Sequence, residues 1–237
     1  MLMKVSRGFT LIELLVAISV MALMAVLSWR GLDGISRAQA HMQQQSNDVL
    51  TIRATLAQWG TDLDAMTAQP DIPSLDWDGR VMRIMRRGGQ SPGDGLRVVA
   101  WTRRTVEGVG YWFRWQSPDL FTRGAIELAW QKAQGWGQSP SDDDRLREVR
   151  TVALQEWQIF YYRGNAWSNP LSSAGSAGSA GVVADAPAVA ASSAASAVKE
   201  QVALPEGVRL VLTLSPGQAL EGTLTRDWVR ELVVGGK

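Results

Sequence analysis

The chain of 237 residues contains no cysteine and one histidine. The first absence excludes disulfides and thiolate metal sites. The second leaves His41 alone, too little for a metal cluster or a proton shuttle, so a solvated or packed imidazole is expected. Net charge is lacking as well. With 24 basic and 23 acidic side chains the formal charge is +1, and a near-neutral chain has no electrostatic footprint for nucleic acid. No G-x-x-x-x-G-K-[ST] run provides a nucleotide site. Asp71, Asp76 and Asp78, and the run Asp142-Asp143-Asp144, offer oxygen ligands. They lack the spacing of a calcium loop and read as solvated loops.

One stretch imitates a catalytic motif. Gly89-Gln90-Ser91-Pro92-Gly93 fits G-x-S-x-G. A nucleophile elbow needs the residue after the serine to donate its backbone N–H to the oxyanion, and Pro92 has none. Arg86-Arg87 stands where an apolar strand is required, and His41 precedes the serine instead of following it. A turn is the better reading, and no enzyme is expected.

What the chain does have is one long apolar run. From Phe9 to Leu27 the only strongly polar side chain is Glu13. At about 1.5 Å per residue this stretch matches the roughly 30 Å hydrocarbon core of a bilayer. Lys4 and Arg7 precede it with no acid between, which holds the N-terminal end in the cytoplasm and places the rest outside. A carboxylate inside such a helix costs up to about 3 kcal/mol at the bilayer centre and less near the interface. About one turn into the run, Glu13 could be neutralised by a neighbouring cation or simply reach up to the headgroups.

The sequence Gly8-Phe9-Thr10-Leu11-Ile12-Glu13 after a short basic leader resembles the signal of type IV pilins and type II secretion pseudopilins. An ordinary secretory signal is cut beyond its apolar region. The resemblance instead implies cleavage by a prepilin peptidase between Gly8 and Phe9, N-methylation of Phe9, and retention of the helix for assembly. Gly8 suits a crowded protease site because it has no side chain. The new α-ammonium lies four positions before Glu13, and in a filament Glu13 of one subunit can pair with the ammonium of another. Loss of residues 1–8 removes Lys4 and Arg7 and leaves 22 basic against 23 acidic side chains, a net charge of −1.

Later segments narrow the resemblance. Trp29-Arg30-Gly31-Leu32-Asp33-Gly34, then Tyr161-Tyr162-Arg163 with Trp167, then Leu204-Pro205-Glu206-Gly207-Val208-Arg209-Leu210 and Thr223-Leu224-Thr225-Arg226, follow an order similar to the J class of minor pseudopilins. That resemblance implies a subunit of the pseudopilus tip, helping to start the filament that exports folded periplasmic proteins. Implied partners are minor pseudopilins of the I, K and H classes, the major pseudopilin filament, the prepilin peptidase and the inner-membrane secretion platform. It also implies a single pass through the bacterial inner membrane, a periplasmic C-terminal domain, and no cofactor or nucleic acid. The K class usually lacks the membrane glutamate, so Glu13 speaks against that assignment. The alternative is a minor pilin of a type IV pilus, acting in assembly, adhesion or DNA uptake.

The expected fold is α+β and pilin-like, with a long N-terminal helix packed on antiparallel sheet. Residues 1–8 form the leader, 9–28 the membrane helix and 29–237 the exported domain. Val49, Ile52, Leu56, Trp59, Leu63 and Met66 recur at three and four residues and predict a helix lying on the protein's own sheet. Gly31 and Gly34 weaken that helix by up to about 1 kcal/mol each relative to alanine and suggest a bend or close packing. Pro70 and Pro73 end it.

Strands are expected at Val81–Met85, Leu96–Arg103, Gly110–Gln116, Ala125–Gln131, Glu148–Arg163, Val208–Leu214 and Gly222–Val234. Glu148–Arg163 is long enough for two strands or one with a bulge. The eleven tryptophans, mostly set among these strands, read as core rather than a ligand platform. Residues 171–199, with three Ser-Ala-Gly triplets from Ser173, bury too little apolar surface to order and read as a flexible insertion. Deletion of Ser173–Ala195 is expected to leave the domain folded and assembly intact. Loss of either, judged by tryptophan fluorescence and by secretion in the native host, overturns that reading.

Overall fold

A computed structural model describes residues 9–89, 91, 93–171 and 204–230. Almost all of the Ser/Ala/Gly insertion, the leader and residues 231–234 of the last expected strand lie outside these. The chain divides into two compact units, Met1–Asn47 and Asp48–Lys237.

Helix α1 spans Leu11–Asp64 without interruption. The two glycines do not break it: a Cβ at Gly31 or Gly34 would meet nothing within 4 Å. In the first unit Leu32, Ile35 and Met42 are exposed, as is the whole apolar run. In the second unit the stripe turns inward. Ile52, Trp59 and Leu63 are buried, with Leu56 and Met66 packed beside them.

The strands form one antiparallel sheet in the order β1-β2-β3-β4-β5-β7-β8. They are β1 (Leu75–Trp77), β2 (Val81–Arg87), β3 (Leu96–Val106), β4 (Val109–Gln116), β5 (Glu148–Arg163), β6 (Ala166–Ser168), β7 (Gly207–Leu214) and β8 (Gly222–Val229). Strand β5 is a single strand with register shifts at two places, one against β4 and one against β7. Its length lets β4 pair with its first part and β6 with its last. A two-residue turn, Glu107-Gly108, joins β3 to β4, and both residues have positive φ, 52° and 82°. Such primed turns match the natural twist of a hairpin.

Alternation along the strands sorts the core into two layers. Met82, Ile84, Val99, Trp101 and Trp112 face α1, together with Trp157, Ile159 and Leu210. Val81, Met85, Val98, Ala100, Phe113 and Trp115 face the opposite way. Strands buried on both faces need a cover on each. The second cover is α2 (Arg123–Trp136), whose Ile126, Ala129, Trp130, Ala133 and Trp136 are buried. Eight of the eleven tryptophans are buried: 59, 77, 101, 112, 115, 130, 136 and 157.

Helix α2 corrects the expected strand at Ala125–Gln131. Its buried residues recur at three and four, not at two. Thr122 caps the first turn, its Oγ1 accepting the Ala125 N–H at 3.3 Å. The sequence between is rich in Ala, Glu, Gln and Lys, which lose little entropy in a helix. Gly137 then allows α2 to end against β2, since a Cβ there would lie 2.1 Å from Val81 Cγ2.

The helix and sheet are locked by a buried carboxylate. Asp62 is fully buried and accepts five N–H groups. Its Oδ1 receives Gln58 Nε2 at 3.0 Å, Arg86 Nη1 at 2.5 Å and Arg114 Nη2 at 2.8 Å. Its Oδ2 receives Arg114 Nε at 2.8 Å and Trp101 Nε1 at 3.0 Å. One helical residue thus binds β2, β3 and β4 at once. Two residues later, Asp64 Oδ1 accepts Trp228 Nε1 of β8 at 2.7 Å. The two carboxylates thus tie the end of α1 to β2, β3 and β4 on one hand and to β8 on the other.

Removing one partner from a buried ion pair strands the others, typically at a cost of about 3–5 kcal/mol. Asp62→Ala is expected to lose about that much stability in denaturant titrations followed by tryptophan emission. Arg209→Ala, which breaks a partly exposed pair with Asp227, should lose no more than about 1 kcal/mol. An unchanged unfolding midpoint for Asp62→Ala would remove the carboxylate from this role.

Candidate processing and assembly site

The first turn of α1 carries the residues singled out for processing and assembly. Phe9 precedes the helix and is 84% exposed. Gly8, on the other side of the expected scissile bond, lies outside the described residues. Thr10 and Glu13 are reciprocally bonded. The Thr10 N–H donates to Glu13 Oε2 at 3.0 Å and the Thr10 hydroxyl donates to the same oxygen at 2.8 Å. The Glu13 N–H returns a bond to Thr10 Oγ1 at 3.4 Å. This is a capping box, in which a hydroxyl residue and a glutamate three positions later satisfy backbone donors that a helix start leaves open.

The box changes how Glu13 is understood. Its carboxylate sits against the positive end of the helix dipole and two local donors, so it is partly compensated within its own chain. Both donors converge on Oε2, and Oε1 accepts no hydrogen bond among the described residues. One oxygen therefore orders the helix start while the other stays available to an external cation. The Thr-x-x-Glu spacing is a helix-start signal carried by the sequence itself.

Helix α1 as a whole is long and apolar enough to cross a membrane, with an 18-residue window of mean hydropathy 2.5 near the N-terminus. Within the run, Ser19 returns its hydroxyl to the Leu15 carbonyl at 2.8 Å, so this polar group is satisfied inside the helix. Just past it, Asp33 and Arg37 form an ion pair one turn apart.

The other candidate groups take structural places. Ser91 lies in the loop between β2 and β3, where its N–H donates to Asp94 Oδ2 at 2.8 Å and its carbonyl accepts from Asp94 N at 3.0 Å. His41 pairs with Gln45 one helical turn on, at 3.1 Å. Asp76 accepts from Arg83 at 2.5 and 3.2 Å. Asp78 Oδ1 closes a turn by accepting the Arg80 and Val81 N–H groups at 2.9 and 2.7 Å. Asp71 meets Arg123 at 3.1 Å.

The run 142–144 is not a loop but α3 (Asp142–Arg145), a single turn capped by Ser141. Asp144 is buried there, and burial acts to raise its carboxyl pKa. The Ser141 hydroxyl and N–H together with Lys132 outweigh that and lower it. Among the described residues no group of three or more His, Asp or Glu side chains comes together to hold a metal.

Residues 3–29 match the family described as the prokaryotic N-terminal methylation motif, well under half of the chain. No curated protein matches the sequence. A solved structure titled as the crystal structure of the GspK-GspI-GspJ complex from the enterotoxigenic Escherichia coli type 2 secretion system contains a similar chain. The identity is 16% and the TM-score 0.41, over 77% of this chain and 96% of that one. The chain thus bears, at its N-terminus, the methylation motif of prepilin-type proteins.

Proposed function

We propose that the protein is a minor pseudopilin of a type II secretion system, of the J class, and serves in the pseudopilus tip. The observation that carries this reading is the methylation motif over residues 3–29, with Glu13 inside its apolar run. Peptidase action between Gly8 and Phe9 breaks the peptide bond with water and frees an α-ammonium on Phe9, which is then N-methylated. The helix that remains is both membrane segment and assembly element. Glu13 Oε1, open in the single chain, is the acceptor for the ammonium of a neighbouring subunit, while Oε2 keeps the first turn ordered.

The domain from residue 29 onward lies in the periplasm in this reading. Its partners are other minor pseudopilins of the I, K and H classes, the major pseudopilin filament and the inner-membrane platform. Its role is structural and not enzymatic. A minor pilin of a type IV pilus uses the same N-terminal signal and is the second reading. A deletion strain separates the two: lost export of folded enzymes with normal twitching supports secretion, and the reverse supports a pilus.

Mass spectrometry of the protein from its native host should find a chain beginning at N-methylated Phe9. Residues 1–8 still attached, or a cut beyond Leu27, would end the proposal.

The two polar residues should also separate by phenotype. Glu13→Ala is expected to insert but to assemble poorly. Thr10→Val removes only the hydroxyl of the cap, worth about 1 kcal/mol. It should speed amide exchange at Glu13 by about fivefold in micelles and impair assembly less. Equal assembly defects in the two variants would mean that Glu13 acts only through the cap.

A further inference from the structure

Strand β8 ends the sheet. It pairs with β7 on one side, and among the described residues no strand lies on the other. The register decides which backbone groups face outward. The Arg230 N–H donates to the Glu206 carbonyl at 2.8 Å, and the pairing runs without a shift to Gly222 against Leu214. In an antiparallel ladder, directly bonded pairs alternate with unbonded ones. Gly222, Leu224, Arg226 and Trp228 therefore bond to β7. Thr223, Thr225, Asp227 and Val229 turn their N–H and C=O groups to the open edge.

Open edges are normally blunted by short length, proline, lysine or a bulge. The opposite edge follows that rule, since β1 has only three residues. Strand β8 does not. It has eight residues, keeps one register throughout and contains neither proline nor lysine.

Its side chains define what can lie beside it. Leu224 and Trp228 share the α1 side of the sheet, opposite Leu212 and Val208, and are only partly buried. Arg226 stands between them on the same face and is exposed. Asp227 feels that charge, but it belongs to the other face and both its oxygens are bonded to Arg209 at 2.7 Å. Arg226 forms no ion pair among the described residues. A second copy of β8 is a poor match. Antiparallel pairing that uses all four outward residues sets Arg226 against Arg226, and like charges directly opposite repel.

We propose that the β8 edge is a docking site for an extended segment of another protein, which adds to the sheet as an antiparallel strand. It places an acid opposite Arg226 and apolar residues two positions to either side, opposite Leu224 and Trp228. Main-chain bonds supply the affinity and alternate side chains choose the partner. The inference does not rest on the assembly reading, and retention of residues 1–8 leaves it untouched.

The test is fluorescence anisotropy on the full chain in neutral detergent, with the labelled peptide Thr-Leu-Thr-Glu-Thr-Leu-Thr. It should bind, and a peptide with lysine in place of the glutamate should bind at least about fivefold more weakly. N-methylation of the two threonines beside the glutamate should abolish binding, because their N–H groups face Thr225 and Asp227. N-methylation of the two leucines should not, because those N–H groups point away. Thr225→Pro removes one outward N–H without touching the bonds to β7, and should weaken binding by about tenfold. Arg226→Glu should reverse the preference and favour the lysine peptide. Tryptophan emission checks that both variants remain folded. Four results would overturn the proposal. These are no binding of the glutamate peptide, equal binding of the two peptides, no greater loss on methylating the threonines than the leucines, or a dimer in detergent that Thr225→Pro dissolves, since the occupant is then a second copy.

Discussion

The buried carboxylate of Asp62 is the constraint on which the second unit depends. A charge with no exposed surface is tolerated only when its lone pairs are filled and its charge opposed. Asp62 meets both conditions by drawing on three strands and its own helix. That requirement fixes more than an energy. An apolar stripe can slide or rotate on an apolar sheet at modest cost, but five N–H donors from fixed points accept one position of the carboxylate. The rotation of α1 about its axis, and its register along β2 to β4, follow from that single point. Backbone bonds after the helix strengthen the tie, with Thr67 N donating to Met85 O and Arg87 N to Ala65 O.

Reach across the sheet is the second consequence. Asp62 bonds to β2, β3 and β4, and Asp64 reaches Trp228 on β8. One face of the α1 segment 48–64 is buried on the sheet and the other is exposed, and Trp59, Trp101, Trp112 and Trp157 fill the space between helix and strands. Trp112 links Trp101 and Trp157, with ring centroids at 4.3 and 5.6 Å. Large rigid rings suit this layer because each spans the gap with few lost rotamers. The outer face, free of α1, is covered by α2 over β2 to β4.

The helix and the sheet were legible where one period dominated. The stripe from Val49 to Met66 has helical spacing, and β4 and β7 alternate at strand spacing, so the helix on its own sheet and these strands were legible as elements. Ala125–Gln131 failed because a short window with Ile126, Leu128 and Trp130 alternates by accident. The signal that decides it, Ala133 and Trp136 one and two turns on, lies beyond that window. The three-residue strands β1 and β6 carry no period at all; they exist because β2 and β5 offer them edges. Asp62 was illegible for another reason. Its partners are 24, 39 and 52 residues away in the chain, and nothing in the local sequence separates it from the other acids of the same helix segment, Asp48 and Asp64. The Thr10–Glu13 box, by contrast, was present in four consecutive letters.

Two carboxylates on one helix illustrate the difference between a residue that builds and one that is kept in reserve. Asp62 is saturated: each oxygen receives at least two donors, and no further cation can approach without displacing one. Its chemistry is spent on the fold. Glu13 uses one oxygen for the helix start and leaves the other bare, on a stretch where every neighbour is apolar and exposed. In water that bare oxygen costs little. In lipid it demands a donor, and a helix with no other polar group within a turn, apart from Thr10, cannot supply one. In the proposed filament that donor is the ammonium at Phe9 of a neighbouring subunit, which gives Glu13 Oε1 its partner where the described residues of its own helix offer none.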